Sequence, residues 1–160
     1  MKIHTVIVGP MQVNCYIAFD QLTREAVIID PGFDAEKIMD VIERDRLRAR
    51  MIINTHGHID HIGSNHSFQL PIAIHEDDAP FLSDPERNLS SMFGLNYVSP
   101  PAARILKHDD TLSVGNHTLT VFHTPGHSPG SLCLSGPGIL FSGDTLFRES
   151  VGRTDLPGGD

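Results

Sequence analysis

Four side chains able to bind a divalent cation fall within six consecutive positions, His56, His58, Asp60 and His61, in the segment Thr55-His56-Gly57-His58-Ile59-Asp60-His61. Zinc favours this mixture of imidazole nitrogen and carboxylate oxygen. The alternating His56 and His58 can converge on one ion from a turn, while the adjacent Asp60 and His61 point elsewhere and can hold a second. No packing requirement explains so dense a polar cluster, because solvated loop histidines have no need to be neighbours.

Two further residues join this set by context. His127 lies in Thr124-Pro125-Gly126-His127-Ser128-Pro129-Gly130, where paired Pro-Gly units fix a sharp turn able to present one imidazole accurately. A catalytic zinc wants three protein ligands and an open position, and His127 would supply the third beside His56 and His58. Asp144, in Phe141-Ser142-Gly143-Asp144-Thr145, ends an apolar strand, and its carboxylate is suited to bridge two cations. His4, His66, His75, His108 and His117 have no partner at metal spacing in the sequence, and His123 reads as a packed or hydrogen-bonded imidazole. Ser128 and Ser131 have nearby histidines, but a serine nucleophile needs an unmetallated base.

These residues must be positioned by rigid elements. Strands are predicted at His4–Val8, Cys15–Phe19 and Ala26–Ile29, the last closing on Asp30-Pro31-Gly32, a turn signal. Ile38, Val41 and Ile42 recur at helical spacing between Asp34, the expected N-cap, and about Arg46. Met51–Ile53 reads as a buried strand that delivers the chain into the histidine cluster. A short helix over Gly63–Leu70, a strand at Ile72–Ile74 and a surface loop over Ser83–Pro101 follow. Strands at Thr118–His123, Ser131–Leu134 and Ile139–Phe141 complete the pattern. The order implies two sheets packed face to face with helices outside, an α/β fold in one domain spanning residues 1–160.

A formal charge of -8 and the absence of a basic stripe argue against a nucleic-acid partner and for a small-molecule substrate. Cys15 and Cys133 sit far apart in strand-like surroundings and read as buried thiols. The apolar run Ile3–Val8 is broken by Gly9 and Pro10 before a signal-peptide core develops, and no stretch reaches the length of a membrane span. The expectation is a cytoplasmic protein without a membrane partner.

Through Thr55-His56-Gly57-His58-Ile59-Asp60-His61, Pro125-Gly126-His127 and Ser142-Gly143-Asp144, the sequence resembles the metallo-β-lactamase superfamily along nearly its whole length. Asn14-Cys15-Tyr16, Asp30-Pro31-Gly32, the Thr124–Ser131 segment and Gly152-Arg153-Thr154-Asp155 are most similar to short glyoxalase II-like hydrolases of the hydroxyacylglutathione hydrolase class. The resemblance implies an αββα sandwich. It also implies one metal held by His56, His58 and His127 and another by Asp60, His61 and a bridging Asp144. The family carries a further metal-binding histidine after the Asp144 strand, and none follows here, so truncation of a longer protein is expected and the second site has three of its usual ligands. Arg153 stands where the family binds glutathione through a base, with Asp155 near the position of a tyrosine.

The reaction this implies is thioester hydrolysis, of S-D-lactoylglutathione or a related conjugate, by a hydroxide bridging two zinc ions, with Asp60 orienting the hydroxide. Iron and manganese are the alternative metals. Two rival readings stand beside it: a non-haem iron sulfur dioxygenase using His56, His127 and Asp144, and a metal-binding module without catalysis.

Overall fold

Successive side chains of a strand leave on opposite faces, so the apolar pattern of each strand decides which core it enters. In the computed structural model, which describes residues 1–160, six strands form the first sheet in sequence order. They are β1 (Lys2–Val8), β2 (Val13–Phe19), β3 (Glu25–Ile29), β4 (Arg48–Ile53), β5 (Ile72–His75) and β6 (Arg104–Leu106). The first three pair antiparallel and β3 to β6 pair parallel. On β3, Ala26 and Ile28 enter one core while Val27 and Ile29 enter the other, and Ile52 and Ile53 of β4 divide the same way. Burial on both faces is why these strands read as continuous apolar runs rather than as alternation.

The second sheet is antiparallel, in the order β10 (Ile139–Phe141), β9 (Leu132–Gly136), β8 (His117–His123), β7 (Thr111–Val114). Leu119, Val121, Leu132 and Leu134 from this sheet meet Val27, Ile29 and Ile53 from the first, forming the core between the sheets. The other core lies on the outer face of the first sheet, where α1 (Ala35–Arg44) contributes Ile38 and α2 (Ile59–Ile62) contributes Ile62. The two-sheet sandwich with outer helices expected from the element order is therefore present, with the helices lying on the six-stranded sheet. No helix is long and apolar enough to cross a membrane.

Several elements depart from expectation. Asp34 precedes α1 but does not cap it; it sits in the left-handed region (φ 54) and its Oδ2 accepts instead from the Gly9 N–H (3.0 Å) and the Lys37 ammonium (2.7 Å). The helix expected over Gly63–Leu70 begins earlier, inside the histidine cluster at Ile59, and is followed by a 3-10 turn at Asn65–Ser67. The Ser83–Pro101 loop contains a 3-10 turn at Ser90–Phe93. Strands β6 and β7 had no counterpart in the sequence reading. Cys15 and Cys133 are buried free thiols, as expected.

Candidate metal centre

Parallel strands end together, and the loops that leave β3 and β4 at their C-terminal ends carry Asp30 and the histidine cluster side by side. Asp30 ties them: its Oδ1 accepts from the Thr55 N–H and its Oδ2 from the Thr55 hydroxyl, both at 2.7 Å, and Oδ2 also lies 3.1 Å from His61 Nδ1. From the other sheet, the turn after β8 brings His127 and the turn after β10 brings Asp144. Gly143, immediately before Asp144, has φ 48, and a Cβ there would stand 2.4 Å from Thr55 Oγ1. Only glycine lets the Asp144 turn approach the histidine loop this closely.

Two donor groups result. His56, His58 and His127 form one, and His56, Asp60 and His61 the other, with the ligand atoms within each lying within 4.8 Å of one another. His58 Nδ1 is 3.0 Å from His127 Nε2, and the His127 Nδ1–H donates to the Arg153 carbonyl at 2.8 Å, which leaves its Nε2 lone pair free to coordinate. Asp144 faces both groups with separate oxygens: Oδ1 is 3.3 Å from His61 Nε2, and Oδ2 is 3.6 Å from His127 Nε2. Asp60 Oδ2 is 3.6 Å from His61 Nε2. Two ligands bound at 2.0–2.1 Å to one tetrahedral zinc stand about 3.3 Å apart, so these spacings match shared coordination edges.

The buried nitrogens fit the same reading. His56 Nε2 and His61 Nε2, both aimed into the cluster, have no hydrogen-bond partner, although buried polar atoms are nearly always satisfied. Burial holds His56 well below the usual imidazole range, helped by His61, His58 and His127. Burial, with His127 and His61, pushes His58 down to about 3. Both are therefore neutral at physiological pH, the form in which an imidazole can coordinate a cation. Burial acts to lower His61 too, but Asp30, Asp144 and Asp60 outweigh it and hold that imidazole well above its usual value. Burial raises the Asp144 carboxyl, and His61, His127 and His58 more than reverse this, leaving it below the usual carboxylate range.

One residue that organises the centre escaped the sequence reading. Asp78, fully buried after β5, accepts at Oδ2 from the Gly57 N–H (2.8 Å) and the Ser128 hydroxyl (2.7 Å), and at Oδ1 from the Gly130 N–H (2.7 Å). Gly57 lies between His56 and His58, and Ser128 and Gly130 follow His127. A single carboxylate thus ties together the two loops that make the first donor group. A Cβ on Gly130 would stand 2.6 Å from the Asp78 nitrogen, so the approach is tight. Ser128 serves here as a donor to Asp78.

Arg153 lines a cavity on the His58 and His127 side, with its guanidinium held bidentately by Asp155 at 2.7 and 2.8 Å. His75, which the sequence left without a partner, is grouped with Asp77 and His123; its partner comes from the opposite sheet, which spacing along the chain does not reveal. The His75 and His123 rings stack at 3.8 Å with an interplanar angle of 15°, whereas His56 meets His58 and His127 at 90° and 82°. Parallel rings direct their in-plane lone pairs side by side, so this grouping lacks the convergence of the first. His123 Nε2 donates to the Pro129 carbonyl at 2.8 Å, the hydrogen-bonded role expected of it.

Comparison with known proteins places this geometry. The chain is 31% identical over 168 residues to hydroxyacylglutathione hydrolase GloC of Haemophilus influenzae, covering all of this chain and 79% of that protein. Among solved structures, the BLEG-1 B3 metallo-beta-lactamase superposes with a TM-score of 0.92 at 41% identity, over 99% of this chain and 79% of that one. TTHA1623, solved in a di-iron-bound form, superposes with a TM-score of 0.83 at 36% identity, over 98% and 79%. The model of the metallo-beta-lactamase superfamily matches residues 8–160, and this chain, with its sandwich fold and its paired His/Asp donor groups, belongs to that superfamily.

Proposed function

We propose that the protein is a metal-dependent hydrolase that cleaves a thioester such as S-D-lactoylglutathione. The observation that carries this reading is Asp144, whose two carboxylate oxygens face two separate donor groups; a site of that form suits a pair of cations rather than one. His56, His58 and His127 would hold one cation and Asp60 and His61 the other, with Asp144 between them and zinc the metal the donor set favours. Cations bound there would lower the pKa of water to about 7 and polarise a substrate carbonyl. The kinship with a hydroxyacylglutathione hydrolase supports the thioester as substrate class.

The chain's own residues supply the rest. Asp60 is close enough to the donor cluster to accept a hydrogen bond from the attacking water and aim it at the carbonyl carbon. The new C–O bond forms and the C–S bond breaks, sulfur leaves as thiolate, the acyl group becomes a carboxylate, and both protons of the attacking water pass to solvent. A thiolate is stable near neutral pH, so no general acid is required. The cavity beside Asp60, His61 and Asp144 has a volume of about 480 Å³ and includes Asn14, Tyr16 and Arg148, whose polar groups suit the thiol carrier.

A second reading is a non-haem iron sulfur dioxygenase using His56, His127 and Asp144; the iron bound by a 36% identical relative supports iron as the metal, though not a single-iron site. Loading the protein with zinc and with iron separates them. The hydrolase reading predicts anaerobic thiol release from S-D-lactoylglutathione by zinc-loaded protein, abolished by a chelator and reduced at least a hundredfold by His56→Ala or His127→Ala. Oxygen uptake with glutathione persulfide by the iron-loaded protein, without thioester cleavage by the zinc form, would overturn it.

A further inference from the structure

The cavity on the His58 and His127 side is walled by Met11, Leu89, Met92, Phe93 and Leu156, and Asp60 and Asp144 also line it. Its volume is about 210 Å³, below the roughly 300–1,000 Å³ of pockets that hold a whole drug-sized ligand. It therefore suits one end of a substrate whose reacting carbon lies at the donor cluster.

The wall is anchored to the chemistry. Met92 and Phe93 sit on the 3-10 turn Ser90–Phe93, flanked by Leu89 and Gly94 in the left-handed region. The buried Asn88 fixes that turn: its Nδ2 donates to the carbonyls of Phe81 (3.0 Å) and Tyr97 (3.1 Å), and its Oδ1 accepts from the Ser90 N–H (3.0 Å). The Asn88 carbonyl in turn accepts from the Ile59 N–H at 2.8 Å, at the start of the short helix that carries Asp60 and His61. Wall and donors are thus one unit. Met92 and Phe93 nevertheless remain 68% and 54% exposed. With Met11, Leu89 and Leu156 they line one cavity, and contiguous exposed apolar surface of this kind is where a ligand gains most by being covered. At the rim, the Arg153 guanidinium is paired with the Asp155 carboxylate, so the two side chains together bring no net charge to the mouth.

We propose that this groove binds an uncharged apolar acyl group of several carbons, which makes the preferred substrate an apolar-acyl thioester; the inference rests on the thioesterase reading above. A lactoyl group, with one methyl and a hydroxyl, fills little of the groove. With metal-loaded protein and N-acetylcysteamine thioesters, kcat/KM should rise about fourfold per buried methylene, about 250-fold over the four methylenes from acetyl to hexanoyl. Replacing Met92→Ser and Phe93→Ser together should cut the hexanoyl-to-acetyl ratio at least tenfold; both positions are exposed, so the fold tolerates the change. Binding is read separately from catalysis by methionine-methyl NMR. S-hexyl-N-acetylcysteamine, a thioether that cannot be hydrolysed, should shift Met11 and Met92 and leave Met39 and Met51 unmoved. Cleavage of both thioesters with equal efficiency and unmoved Met11 and Met92 signals would overturn the groove and leave the hydrolase standing. No cleavage of either thioester, with Met11 and Met92 shifted, would uphold the groove and sink the thioesterase reading.

Discussion

Asp78 shows how one buried carboxylate governs residues it never touches. Both its oxygens act as acceptors, and two of the three donors converge on Oδ2. An asparagine would have to turn an NH2 toward either the Gly57 and Ser128 donors or the Gly130 N–H, leaving buried donors unpaired. Asp78→Asn should therefore cost about 1–3 kcal/mol of stability. It should also weaken metal binding by about ten- to a hundredfold, the usual cost of losing an outer support of a metal site. Thermal denaturation and metal titration check the two effects, and unchanged metal affinity in a folded variant would refute the positioning role. Asp78 was not legible in the sequence because it stands in the unremarkable stretch Glu76-Asp77-Asp78, and its partners lie 21 and 50 residues away. Asp30 was visible only as a turn signal for the same reason. By contrast, His56, His58, Asp60 and His61 advertise themselves, since a short loop dense in ligating side chains has no competing structural explanation.

At the scale of elements, the sheets were legible where burial on both faces produced continuous apolar runs, as in β3 and β4. They were not legible where a strand is short and charged, as in Arg104–Leu106. Asp20 illustrates how the two sheets are locked together. Its Oδ1 accepts from the N–H groups of Leu22 (2.7 Å) and Thr23 (3.3 Å), closing the turn between β2 and β3. Its Oδ2 accepts from the backbone and side-chain nitrogens of Asn116, both at 2.7 Å, in the β7–β8 turn. The Asn116 bond, with those from Leu22 and Thr23, holds the Asp20 carboxyl far below the usual range. A depressed folded value means the carboxylate stabilises the fold above its unfolded pKa of about 3.9, and that this contribution fades as pH falls toward the folded value. Asp20→Asn should thus be less stable than wild type at pH 7, with the gap narrowing below about pH 4 as Asp20 of the unfolded wild-type chain takes up a proton that the folded carboxylate still refuses. Urea unfolding at the two pH values checks this; a gap constant with pH would contradict the ionic role.

At the scale of the whole molecule, the donor groups are assembled from both sheets, so a cation held there joins the two halves of the sandwich. Ligands that bind only the folded state stabilise it by mass action, about 2.7 kcal/mol at a free concentration a hundred times the Kd. Chelation should accordingly lower Tm, and re-addition of zinc should restore it; a melting curve indifferent to both would argue against a structural link. The same assembly makes the central claim directly observable. Anomalous scattering from a zinc-loaded crystal should give two metal peaks flanking Asp144, about 3.5–4 Å apart, one against His56, His58 and His127 and the other against Asp60 and His61. A single peak, or peaks confined to His75 and His123, would contradict the account.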